Sequence, residues 1–446
     1  MAAPPSRSSW PSTNPSAGAT PGSTSPSASM SPCSKSSAGK GSFKRNLTMK
    51  IVDVHLHRVT MPRDYRYIAK TPEEVCRVRP GVESRYFIYE LETDTGLRGI
   101  GEVSDVAARM KALSASELRD LLAGVLVGQD PLRRRRAWEA FFEAIPADTH
   151  PEYRQLVAAS LDMALLDLAG KHLGAPVYEL LGGRYWDAIP VSWVSYLRSA
   201  DMLEGEIEQK LKEGFRNFKL KAGWSGFDVD YERVRTFRRI AGPDVHLRID
   251  VSGEWEEEEA IQNIRRLAEF GLDAVETPIS AVARWKGNDN PALVDERAEE
   301  VAQALARVRA SVPCQIIEHV GDFSDAFPLA LVKHRGVDVF NVIPAQSGGV
   351  TRTQRLIHLA EQAGIQVLFG STVELGPGTA ASLHLAQASK AVTVASDIVG
   401  PGFLVDDVIQ SPLRYEEGCI RVSDAPGLGV ALDPEKLKQY ASKDDT

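Results

Sequence analysis

The decisive stretch runs from 217 to 278 and reads NFKLKAGWSGFDVDYERVRTFRRIAGPDVHLRIDVSGEWEEEEAIQNIRRLAEFGLDAVETP. Three short apolar runs, Asn217–Lys221, Leu247–Val251 and Ala274–Glu276, alternate with two amphipathic segments. The repeat is roughly the 30 residues of a βαβ unit. A strand that returns parallel to its neighbour needs such a helical crossover, so the rhythm predicts a parallel sheet. Working outward, the same rhythm reaches back to Val191–Tyr196. It continues through Gln315–Glu318, Val339–Ile343 and Gln366–Phe369 to a last run near Val392–Ala395. Eight such runs predict an α/β fold whose sheet closes into a TIM-type barrel over 189–404.

Upstream the pattern differs. Met49–Thr60, Glu83–Glu92 and Leu97–Val103 read as strands, with Thr93-Asp94-Thr95-Gly96 as a hairpin turn. A helical pattern starts at Ser114, and Leu156–His172 is a strong helix. Residues 49–188 are therefore expected to form an α+β N-terminal capping domain, completed by about 405–446. The interval Pro278–Pro291 is too long for an ordinary connection and reads as an insertion over the barrel mouth.

Residues 1–48 hold fourteen serines, seven prolines, five basic residues and no acidic one. That composition cannot bury enough apolar surface to offset its ordering entropy, so it reads as a disordered tail. A transit peptide, or a start placed ahead of Met49, are the alternatives. The net charge of −8 removes an overall basic footprint for nucleic acid. No apolar run is long enough to span a membrane. Four scattered cysteines without metal-finger spacing suit a reducing, cytoplasmic setting.

Barrel enzymes carry their chemistry at the C-terminal strand ends. In Phe218-Lys219-Leu220-Lys221 the two lysines lie two apart, so they share one face. Burial of two ammonium groups against helices is costly, which places them inside, at the mouth. There each disfavours protonation of the other, lowering a pKa toward that of a general base. Three later strands end in acids: Asp250, Glu276 and Glu318. Carboxylates on neighbouring strands about 4.8 Å apart would repel. A hard divalent cation removes that penalty, and Mg²⁺ fits best. Glu374, in the loop after the seventh run, is expected across the mouth from the lysines, unless it only caps the next helix. Gly348-Gly349 reads as an anion-binding turn or a plain connector.

These residues resemble the enolase superfamily, in the group of mandelate racemase and muconate lactonizing enzymes. The resemblance covers Met49 to the end. It rests on Ala158-Ala159-Ser160-Leu161-Asp162-Met163-Ala164-Leu165-Leu166-Asp167-Leu168, on Leu180-Leu181-Gly182-Gly183 and on Lys219-Leu220-Lys221. With these go Asp250, Glu276 before Pro278, Gly348-Gly349-Val350-Thr351 and Pro426-Gly427-Leu428-Gly429. The lysine pair and Glu374 point to the muconate lactonizing subgroup. The resemblance implies a modified (β/α)7β barrel under a cap. It implies Mg²⁺, or Mn²⁺, on Asp250, Glu276 and Glu318, and a homo-oligomer. It also implies proton transfer next to a small carboxylate through a metal-stabilised enediolate, with Lys221 as acid/base and Lys219 tuning it. Substrate contacts are expected from Glu374 and from Tyr65 and Tyr67 in a lid loop.

Departures narrow the reaction. The subgroup's second lysine falls on Ile343, and a histidine after the seventh strand falls on Gly370. The subgroup's Asp-Glu on strand five reads Ile317-Glu318, and an Asp-x-Asp on the last strand reads Asp397-Ile398-Val399. Inversion at carbon needs groups on both faces. A one-face reaction, syn cycloisomerisation or syn β-elimination, is therefore favoured. A racemase or epimerase, and a catalytically impaired relative, stay open. So does a more distant metal-dependent amidohydrolase, suggested by the His-x-His of Asp53-Val54-His55-Leu56-His57.

Overall fold

The computed structural model describes residues 49–64, 83–107, 110–279, 291–321 and 324–442 of the chain. Tyr65, Tyr67 and the insertion after Ile279 lie outside the described residues.

The cap begins with an antiparallel sheet of β1 (Ile51–Pro62), β2 (Glu83–Thr93) and β3 (Arg98–Val103). The β2–β3 turn closes with Thr93 N–H donating to Leu97 O at 3.0 Å, and Gly96 takes φ +80°, where a side chain would be strained. Three helices follow: α1 (Ala115–Leu126), α2 (Arg134–Ala144) and α3 (Pro151–Leu173), then the short α4 (Val177–Leu180). Ser114 and Glu117 form a reciprocal capping box at the start of α1. Helix α3 is buried on all sides from Leu156 to Gly170, because it lies between cap and barrel. Leu156, Leu161, Leu165 and Leu168 join the cap core, whereas Met163 and Leu166 join the barrel core. The sheet approaches this helix so closely that a Cβ on Gly99 would lie 2.3 Å from Ala164 O.

The barrel runs β4 (Ile189–Pro190), β5 (Ser192–Ser195), α5 (Ala200–Lys212), β6 (Asn217–Lys221), α6 (Phe227–Ala241), β7 (His246–Asp250), α7 (Glu257–Leu267) and β8 (Ala274–Glu276). It continues through α8 (Pro291–Ser311), β9 (Gln315–Val320), α9 (Ala326–His334), β10 (Val339–Val342), α10 (Val350–Ala363), β11 (Gln366–Phe369) and α11 (Gly376–Ala388). Strands β5 to β11 form one parallel seven-stranded sheet in chain order.

The eighth run closes the barrel without becoming a strand. Val392 bridges Val367, and Ser396 bridges Val191. Val367 N–H donates to Ala391 O, and Ser192 N–H to Ser396 O, each at 2.9 Å. The segment passes from one sheet edge to the other, so neither edge receives two consecutive rungs. Beyond it come α12 (Gly400–Phe403), β12 (Cys419–Ile420) and α13 (Pro434–Gln439). The end of the chain returns to the cap, where Ala441 bridges Val59 and Ser442 N–H donates to Arg58 O at 2.9 Å. No helix among the described residues is long and apolar enough to cross a membrane.

Strand alternation decides what faces the barrel interior. Phe218, Leu220, Leu247, Ile249, Ile316 and Phe340 pack outward in the large core with the helices. Ala274, Ile317, Val339 and Leu368 form a small cluster of their own, on the opposite face of their strands. Lys219, Lys221, Arg248, Asp250 and Glu276 share that inner face by the same alternation.

Candidate active site

Parallel register brings Lys221, Asp250, Glu276 and Ile317 to one level on four adjacent strands. The structure thus unites four of the expected residues, Lys219, Lys221, Asp250 and Glu276. Lys219 Nζ lies 2.6 Å from Asp397 Oδ2, 3.0 Å from Glu276 Oε2 and 3.3 Å from Asp250 Oδ2. Lys221 Nζ lies 2.6 Å from Asp250 Oδ2. Arg248 bonds the other oxygen of Asp397 and donates to Ala395 O at 2.7 Å. Asn341 donates to Glu276 Oε1 at 2.8 Å, and Ser252 N–H to Asp250 Oδ1 at 2.9 Å. Three carboxylates therefore meet three cations. The side chain of Lys219 is 6% exposed and that of Lys221 26% exposed, so of the two lysines it is Lys221 that reaches the mouth.

Burial alone would lower the Lys219 pKa, but Asp397, Glu276 and Asp250 outweigh it and raise it above the ordinary lysine value. The expected mutual depression of the lysine pair is thus reversed for Lys219, because the carboxylates stand closer than a cation-only reading allows. Burial would raise Asp250, yet Lys221 and Lys219 hold it well below the usual carboxylate range. Glu276 is raised by burial and by the neighbouring Asp250 charge.

Glu318 does not stand with the other acids. It pairs in register with Phe340, an outward residue, while Ile317 pairs with Glu276 on the inner face. Glu318 Oε1 accepts from Thr277 Oγ1 and from His319 N–H, each at 3.1 Å. The position within the motif suggested a ligand, whereas the inter-strand register turns it away. Among the described residues no group of three or more His, Cys, Asp or Glu is arranged to hold a metal ion. Asp250 and Glu276, each already engaged by lysine, with Ile317 in the third place on the neighbouring strand and Asp397 taken by Lys219 and Arg248, do not make the three-carboxylate site that the resemblance implies.

Glu374 is taken up within its own turn. Oε1 accepts from Thr372 N–H and Oγ1, each at 2.8 Å, and Oε2 accepts from Ser371 Oγ. It bonds neither lysine, and it does not cap α11 either, whose N-cap residue, Leu375, makes no side-chain cap. At Gly370 a Cβ would lie 2.8 Å from Ile343 Cγ1 and 2.5 Å from Asn341 Oδ1. Ile343 thus fills the space that a histidine at 370 would need. At the Gly348-Gly349 turn Gly349 N–H donates to Pro344 O at 2.9 Å, and it is the start of α10 that holds a carboxylate, an internal one. Thr351 N–H and Oγ1 donate to the two oxygens of Asp162, each at 2.7 Å. The His-x-His stretch lies on antiparallel β1 of the cap, with His55 Nε2 at 2.8 Å from Glu92 Oε2. It opens no barrel, which removes the amidohydrolase reading.

Four site residues escaped the expectations. Arg248 lies two before Asp250 and Asn341 two before Ile343, so period-two spacing carried both signals. Asp397 shows in the sequence only as half of an Asp-x-Asp motif. His319 shares the inner face of β9 in register with Asn341.

Comparison with known proteins agrees with this geometry. Residues 70–182 match a model described as mandelate racemase / muconate lactonizing enzyme, N-terminal domain, and residues 202–436 one described as enolase C-terminal domain-like. Muconate cycloisomerase 1-1 of Acinetobacter lwoffii is 31% identical over 355 residues, 77% of this chain and 86% of that protein. N-succinyl-L-Arg/Lys racemase of Bacillus cereus is 26% identical over 395 residues, 88% of this chain and 98% of that one. The crystal structure of a muconate lactonizing enzyme from Pseudomonas fluorescens complexed with muconolactone superposes with a TM-score of 0.74 at 27% identity, covering 89% of this chain and 100% of that chain.

Proposed function

The chain is an enzyme of the mandelate racemase and muconate lactonizing enzyme family, in its muconate lactonizing subgroup, and we propose that it moves a proton on one face of the α-carbon of a small carboxylate. The reaction class is syn cycloisomerisation, with syn β-elimination as the lyase variant. The observation that carries this reading is the asymmetry of the lysine pair. Lys221 is partly exposed at the strand ends and held by Asp250 at 2.6 Å, while Lys219 is buried among three carboxylates. The groups at the second-lysine and histidine positions are Ile343 and Gly370, neither of which titrates.

Each side chain then has a task. The ammonium groups attract the substrate carboxylate to the barrel mouth. Asp250 fixes the direction of Lys221 Nζ, which gives a proton to the α-carbon or takes one from it. Lys221 and Lys219 keep Asp250 ionised, and Arg248 balances Asp397 below. The family is associated with a divalent cation on three carboxylates. Here Asp250 and Glu276 keep two of those places and Ile317 takes the third. Dicarboxylates such as cis,cis-muconate are the first substrates to try, since relatives are named for muconate.

The test is a panel of small carboxylic acids that includes cis,cis-muconate, incubated in D₂O and followed by mass. Wild type should add deuterium at the α-carbon of at least one acid. Lys221→Ala should lower that rate by about 10²–10⁴-fold while melting like the wild type. Undiminished exchange in Lys221→Ala would remove the lysine from the role.

A further inference from the structure

A cavity of about 460 Å³ opens where the cap helix α2 meets the barrel helix α10. None of its lining residues belongs to the lysine–carboxylate cluster. Arg133, Arg134, Arg135 and Arg136 enter it from the start of α2, and Arg352 and Arg355 from the start of α10. Trp138 closes one side. Its ring stacks on Phe142 at 5.0 Å, and its Nε1 donates to Ala158 O at 3.0 Å and Gly348 O at 3.1 Å. The indole is therefore a fixed wall rather than a loose surface group.

The acids at this cavity are already engaged. Glu139 bonds Arg135 at 2.9 Å, and both Asp162 oxygens accept from Thr351. Arg133 pairs with Asp130 at 3.7 Å and Arg352 with Asp325 at 2.8 Å. Among the described residues, Arg134, Arg136 and Arg355 meet no carboxylate at ion-pair distance. Helix α2 has no acid in its first turn and no side-chain cap, whereas the start of α10 is capped by Asp162 through Thr351 N–H. Arginines at a helix start stand at the positive end of its dipole, where a cation is disfavoured. Unpaired positive charge is thus left on Arg134, Arg136 and Arg355, opposed in part by the buried Asp162 carboxylate that attracts Arg134 and Arg355, in a chain whose net charge is −8. The space is of the size that holds a small metabolite. Guanidinium forks match phosphate oxygens in bidentate geometry.

We propose that this cavity binds a phosphorylated small molecule with two or more negative charges, its phosphates on Arg134, Arg136 and Arg355 and its apolar part against Trp138. The ligand is distinct from the carboxylate handled at the barrel mouth.

Inorganic pyrophosphate is the probe, with sodium chloride at matched ionic strength as control. Pyrophosphate should raise the melting temperature of the full chain saturably, since a ligand of the folded state stabilises it by mass action. In Arg134→Gln/Arg355→Gln the apparent affinity should fall at least about tenfold, because hydrogen bonds between charged groups are the strong kind. That variant should keep the wild-type far-UV circular dichroism, since neither arginine stands in an ion pair among the described residues. Arg136→Gln gives a second, milder reading should the double variant fold poorly. A pyrophosphate effect equal in wild type and variants, or none in wild type, overturns the proposal.

Discussion

Ile317 and Lys221 stand three strands apart on one level, and between them lie Asp250 and Glu276. The row holds one cation, two anions and one apolar side chain, so a divalent ion finds only two carboxylates facing it. Carboxylate count is what tunes such sites. Ile317→Asp should therefore tighten Mg²⁺ binding at least about tenfold, measured by titration calorimetry. Equal Mg²⁺ affinity in the two proteins would mean that another group already fills the third place. The inward lysines, Asp250 and Glu276 were legible in the sequence because residues two apart share a strand face. Arg248 and Asn341 obeyed the same rule and were passed over. The orientation of Glu318 was not legible. It depends on how β9 is staggered against β8, and a shift of one residue flips every side chain to the other face.

Elements of the cap are stapled to the barrel by buried carboxylates. Asp162 on α3 caps α10, and Asp167 on α3 accepts from Ile100 N–H at 3.0 Å and Leu428 N–H at 2.8 Å. Motif residues that signalled the family in the sequence are thus tie points between elements rather than chemistry. Glu102 on β3 does the same for α11, accepting from Leu375 N–H at 3.0 Å and Gly378 N–H at 2.7 Å. Burial pushes Glu102 up to about 8 from 4.5, partly opposed by the hydrogen bonds from Ser104 and Gly378. Between those values the folded state holds a proton that the unfolded chain has released. Stability from this group is therefore full below the lower value and lost as pH rises through the upper one. Glu102→Gln removes the titration and keeps one of the two acceptor oxygens. In urea unfolding, wild type should lose about 1–4 kcal/mol relative to the variant between about pH 5 and pH 8. Parallel stability profiles would show that Glu102 stays ionised throughout. The seven parallel strands were visible in the sequence as apolar runs of strand length. The eighth was overread, because Val392–Ala395 is apolar enough for a strand yet is divided between two sheet edges.

For the whole molecule, the cap closes one side of a barrel whose mouth is built from strand ends, and the described walls around Lys221 are chemically unequal. One side carries an ammonium at 2.6 Å from its orienting carboxylate. Another carries Ile343 packed against Gly370. Substrate choice was not legible, since it rests on cap loops whose side chains follow no periodic rule. The proposed chemistry rests on proton transfer confined to one face. The direct measurement is the configuration of the deuterated α-carbon after reaction in D₂O, read by NMR on product and recovered substrate. Label of a single configuration is expected, lost together with Lys221. Label on both faces, or racemised substrate, would contradict it.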